Sequence, residues 1–139
     1  MGIDIYTRWK GQTDTEIEAQ FVGFSVVHGR VGYLREAYHG EPYATKYLVR
    51  EAFEHPANQC RIPASVLRER LPEALVLVEE RERTVYGETD AEAIAEVQQS
   101  FVDFVELCEA KERATGEPVL VIASFYRRSG LLLEFRQPV

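Results

Sequence analysis

Apolar and polar side chains alternate along the first nine residues. Ile3, Ile5, Thr7 and Trp9 fall on one side and Asp4, Tyr6 and Arg8 on the other, so a strand is expected over Gly2–Trp9 with one core-facing side. The polar row is either the solvent face of a half-covered sheet or a row pointing into a cleft. Lys10-Gly11-Gln12 turns the chain, and Thr13 with Glu16 three places on is a capping box for a short helix, Asp14–Gln20. Phe21–Val27 reads as a second strand, with Gly23 marking a bulge or a close backbone approach.

From Pro42 the period lengthens. Tyr43, Tyr47 and Leu48 recur at helical spacing, Pro42 suits a first helical position, and His55-Pro56 closes a helix expected to reach Glu54. Ala57–Ile62 reads as a loop. Pro63 opens a short helix to about Arg70, and Pro72 breaks it and starts another to about Val85, striped by Leu71, Leu75, Val78 and Val85. The mixed-charge run Glu79-Glu80-Arg81-Glu82-Arg83 reads as the solvated face of that helix. Gly87 is expected to end it as a left-handed cap.

Thr89 and Glu92 form a second capping box. Behind them Ile94, Val97, Phe101, Phe104, Val105 and Cys108 lie within an arc of about 100° on a helical wheel. This predicts the longest helix, over about residues 90–115, roughly 37 Å at 1.5 Å per residue. Val119–Tyr126 is apolar on both faces and reads as a central strand covered on both sides. Arg127-Arg128-Ser129-Gly130 turns it back into Leu131–Arg136, a C-terminal β-hairpin. The fold class expected is α+β: one domain over 1–139, a small, mainly antiparallel sheet packed by three or four helices.

Composition narrows the functional classes. With 139 residues the chain can bury a core without staples, and 45% hydrophobic residues argue against disorder. The net charge of -7 disfavours nucleic acid as a partner, and the one adjacent basic pair is Arg127-Arg128. Cys60 and Cys108 make neither a disulfide framework nor a zinc pattern, and two reduced thiols suit a cytoplasmic location. No apolar run approaches the ~20 residues of a membrane span, so no membrane partner is expected. The start of the chain carries neither a basic segment nor an apolar signal core.

The chemistry concentrates in Val31-Gly32-Tyr33-Leu34-Arg35-Glu36-Ala37-Tyr38-His39-Gly40-Glu41, where aromatics, both charges and a histidine stand between glycines. Just before it, Gly29 and Gly32 permit tight turns but lack the third glycine of a dinucleotide fingerprint. Together with the opening Met1-Gly2-Ile3-Asp4-Ile5-Tyr6, the block Val31–Ala37 resembles small uncharacterised proteins of bacteria and their phages. Those begin with Met-Gly, an aliphatic residue, Asp, an apolar residue and Tyr, and carry a Gly-Tyr-x-Arg block before a helix. The match covers about a tenth of the chain, and Leu34 stands where those proteins commonly have Trp. The resemblance implies no activity. It implies that Asp4, Tyr6, Tyr33 and Arg35 belong to one place in the fold.

Three readings of that place follow. In one, Asp4 and Arg35 pair and the tyrosines hold them, purely as architecture. In the second, Asp4, Tyr6, Tyr33, Arg35, Tyr38 and His39 line a pocket for a small anionic ligand, held by the Arg35 fork, or for a protein partner. In the third, His39 is a general acid or base oriented by Asp4 or Glu41 in a hydrolytic or metal-dependent enzyme. The spacing of His28, His39 and His55 fits no metal motif, and no nucleophile elbow or His-Glu-x-x-His occurs, so neither metal nor cofactor is assigned. The expectation adopted is a non-enzymatic binding or interaction protein, with the enzyme as the alternative. The stripe of the long helix also suggests a homodimer, being broader than one small sheet covers.

Overall fold

A computed structural model describes residues 2–21, 28–38 and 40–125. The expected strand Phe21–Val27, His39, and the hairpin partner Leu131–Arg136 fall wholly or almost wholly outside these residues. Among these residues four strands form one antiparallel sheet: β1 (Gly2–Arg8), β2 (Leu34–Ala37), β3 (Gln59–Arg61) and β4 (Leu120–Phe125), in the order β2-β1-β4-β3. Among the described residues five helices accompany it: α1 (Asp14–Ala19), α2 (Ala44–Leu48), α3 (Arg50–Glu54), α4 (Ala64–Thr84) and α5 (Ala91–Thr115). A 3-10 helix, His28–Val31, leads into β2. The α+β class and the strand near the C-terminus are as the sequence implies, and α5 is the longest helix. Among the described residues no helix is long and apolar enough to cross a membrane.

The alternation in β1 decides which face is buried. Ile3, Ile5 and Thr7 are fully buried, and the register sets Ile5 beside Leu34 and Ala123, and Thr7 beside Val121. This face joins Leu67, Leu71, Val78, Phe101, Phe104 and Val105 of α4 and α5 in one apolar core. In β4, Val121 and Ala123 are buried, Leu120 and Ile122 half-buried and Ser124 exposed, so burial alternates instead of covering both faces as expected. β1 has β2 as its partner only up to Ile5↔Leu34. Beyond it the fully buried Gln20 takes over: its Oε1 accepts from the Thr7 N–H at 3.0 Å and its Nε2 donates to the Thr7 carbonyl at 3.1 Å. A side-chain amide thus replaces a ladder pair that would otherwise be left unpaired in the interior.

Other elements depart from the sequence reading. α4 is one helix through Pro72, because Leu67, Leu71, Ala74 and Val78 form a continuous buried stripe on both sides of the proline. Packing along that stripe outweighs the single N–H that proline lacks. Residues 57–62 contain β3, since the chain pairs with β4 at Cys60↔Val121. The helix expected from Pro42 to Glu54 is two short helices, separated at Val49, whose φ and ψ of -119° and 43° are not helical. Leu75 is only half-buried and Val85 is exposed. The 3-10 helix lies against α5, and a Cβ at Gly29 would run into the Ser100 carbonyl. Gly29 is therefore required by close approach, not by an unusual φ.

Candidate functional site

Two polar clusters and a cavity surround β2. The first lies on the sheet face opposite the core. The register sets Asp4 directly across from Arg35. Arg35 Nη1 donates to Asp4 Oδ1 at 2.6 Å, and the Tyr33 hydroxyl donates to the same oxygen at 2.6 Å. The rings of Tyr6 and Tyr33 lie 5.5 Å apart, and Phe21 packs on Tyr6 at 4.9 Å. Burial, then the Asp4 carboxylate that accepts its proton, holds the Tyr33 hydroxyl well above the ordinary tyrosine range. Burial and Asp4 push Tyr6 the same way, against the opposing pull of Arg35 and Arg8. Asp4, Tyr6, Tyr33 and Arg35 thus stand together, in hydrogen-bonded and stacked contact.

Tyr38 does not join them. Its ring stacks on the buried Tyr43 at 5.3 Å, and it lines a separate cleft with Ile3, Phe53 and Phe125. The reason is the strand period: Ile3 pairs with Glu36, so even-numbered residues of β2 share the core side with Ile3, and Tyr38 continues that parity. Glu41 lies at the rim of the same cleft, in an ion pair of 2.8 Å with Lys46. His39 lies outside the described residues. Among those residues no group of three or more His, Cys, Asp or Glu side chains is placed to hold a metal ion.

The second cluster was hidden in the charge run of α4. Arg81 is not solvated: its side chain is 6% exposed, and Nε lies 2.9 Å from Oε2 of Glu36, itself 8% exposed. Nη1 donates to the carbonyls of Gly40 and Pro42 at 2.7 and 2.8 Å, and the guanidinium lies over the Tyr43 ring at 4.8 Å. Glu36 in turn accepts from Ala44 N, Thr45 N and Thr45 Oγ1 at 2.9, 2.9 and 2.6 Å. A carboxylate from β2 therefore caps α2, which explains why the helix starts at Ala44 and not at Pro42. A signal for Arg81 was present: 67, 71, 74, 78 and 81 follow one helical stripe. Breaking the helix at Pro72 discards that phase.

Between β2, the 3-10 helix and the facing ends of α4 and α5 lies a cavity of about 260 Å3. Ala37, Val78, Val97 and Phe101 give it apolar walls, and His28, Arg35, Glu36, Arg81, Glu82 and Glu96 its polar ones. Val97 is the one residue of the expected α5 stripe that is only half-buried, because the cavity opens beside it. Burial, followed by Glu88 and Glu36, raises the Glu82 carboxyl above its ordinary value, while Arg81 pulls it down.

No family model matches the chain, and neither a curated protein nor a solved structure is similar to it.

Proposed function

We propose that the protein is a binding protein, and that the cavity between β2, α4 and α5 receives a small ligand. The observation that carries this reading is the construction of the cavity. Apolar side chains from two long helices meet charged groups from β2, the mixture that ligand pockets use for affinity and orientation. Its volume of about 260 Å3 lies near the lower end for ligand sites, which suits a small molecule better than a macromolecular segment. The Glu36–Arg81 pair fixes one wall before any ligand arrives, and such preorganisation favours binding.

The Asp4–Tyr33–Arg35 cluster then serves as support: it holds the neighbouring face of β2 with its charges already engaged. The test is a thermal-shift screen of compounds with about a dozen heavy atoms or fewer. Ligands that raise the melting temperature of the native protein should lose that effect in a Val97→Phe variant, which fills the cavity and keeps the native circular dichroism. Ligands that stabilise both proteins equally would place binding elsewhere.

A further inference from the structure

Resting on the cavity reading above, we infer that the ligand is a cation with an apolar body, such as an arylalkyl or alkyl ammonium, its charge met by Glu82 and Glu96. The two arginines around the cavity are already engaged. Arg81 is held by Glu36 and by the carbonyls of Gly40 and Pro42. Arg35 is held by Asp4 at 2.6 Å. The ring of His28 packs edge-on against Tyr33. The acidic side is different. Glu82 and Glu96 line the cavity, and neither makes a side-chain ion pair or hydrogen bond among the described residues.

Glu88 adds negative charge beside Glu82, and the chain as a whole carries -7. A half-buried carboxylate facing an apolar chamber, with the cavity's arginines engaged elsewhere, is complementary to an incoming ammonium. An anion at the same place would meet Glu82 and Glu96 without a free arginine to offset them. The Arg35 guanidinium that the sequence suggests for an anionic ligand already donates through Nη1 to Asp4. Val78, Val97 and Phe101 supply the wall for the apolar body, and the ring of Phe101 suits an aromatic one.

The test compares three compounds of nearly one shape: benzylammonium, benzyl alcohol and benzoate. Each is titrated into isotopically labelled protein, following the amide signals of Val78, Val97 and Phe101. Benzylammonium is expected to bind at least tenfold more tightly than benzyl alcohol, and benzoate more weakly than either. Glu82→Gln and, separately, Glu96→Gln should each cut the ammonium preference by threefold or more while leaving benzyl alcohol unchanged. Two variants are used so that a folding defect in one, read by circular dichroism, does not decide the matter. If benzyl alcohol binds in the cavity as tightly as benzylammonium, or benzoate binds more tightly, the cation assignment falls and the cavity reading stands. If none of the three shifts those signals while other ligands reach the cavity in the thermal-shift screen, the cation assignment alone falls; if nothing reaches it, both fall.

Discussion

Arg81 of α4 and Glu36 of β2 form an ion pair of 2.9 Å with both side chains less than a tenth exposed. Through it one buried contact joins the sheet, the carbonyls of Gly40 and Pro42, the start of α2 and the far half of α4. Removing one member leaves the other charged and buried. Arg81→Met should therefore cost about 3–5 kcal/mol of unfolding free energy. The Glu36→Gln, Arg81→Met double variant should lose less than the sum of the singles, with a coupling of about 1–3 kcal/mol. Urea denaturation of the four proteins checks this, and additive losses would show that the pair does not act as a unit.

Pro72 sits on the exposed side of α4, inside a helix that continues for twelve residues beyond it. The carbonyl of Arg68 lacks the N–H that any other residue would supply. Pro72→Ala should raise stability by about 1–3 kcal/mol, because the helix on either side is already formed by packing. A loss of stability would mean that α4 needs the proline's geometry to fit α5.

Acid should weaken the fold through its outer ion pairs. Arg70 holds the Glu51 carboxyl below its ordinary value, and Arg68 does the same for Glu109. Carboxyls lowered in the folded state stabilise it above their unfolded value near 4.5, and that contribution fades as pH falls through the folded values. Glu82 runs the other way. Its value is raised, so its effect is most favourable below about 4.5 and is lost as pH rises through the folded value. Glu82→Gln should thus be more stable than the native protein at neutral pH, with the gain vanishing in acid. Melting temperatures across pH 4 to 8 measure both limbs.

The two thiols should separate cleanly. Burial pushes the Cys108 thiol up to about 12, and it is 1% exposed, whereas Cys60 is half-buried on the outer strand β3. A thiol reagent at neutral pH should modify Cys60 in the native protein and reach Cys108 only on unfolding. Two equivalents consumed at one rate under native conditions would contradict the packing of α5 against the core.

Much of this fold is legible in the sequence where one period runs unbroken. β1 shows its alternation, and α5 shows Ile94, Phe101, Phe104, Val105 and Cys108 on one buried face. The meeting of Asp4, Tyr6, Tyr33 and Arg35 was also within reach, since β1–β2 pairing carries it. What was hidden depends on contacts between distant segments. Arg81 looks solvated among its charged neighbours because only the phase set by Leu67, Leu71, Ala74 and Val78 turns it inward. β3 is three residues long, too short to show a period, and is defined by its partner β4. The role of Gln20 follows from where β2 leaves β1, which no local pattern records.

We propose that the cavity bounded by β2, α4 and α5 receives a small ligand. The most direct measurement is a crystal structure of the protein soaked with a mixture of small neutral, cationic and anionic aromatic compounds. The predicted result is one of them bound against Val78, Val97 and Phe101, with Arg81 still on Glu36. Compounds bound only at other surfaces, with the cavity closed by its own side chains, would contradict it.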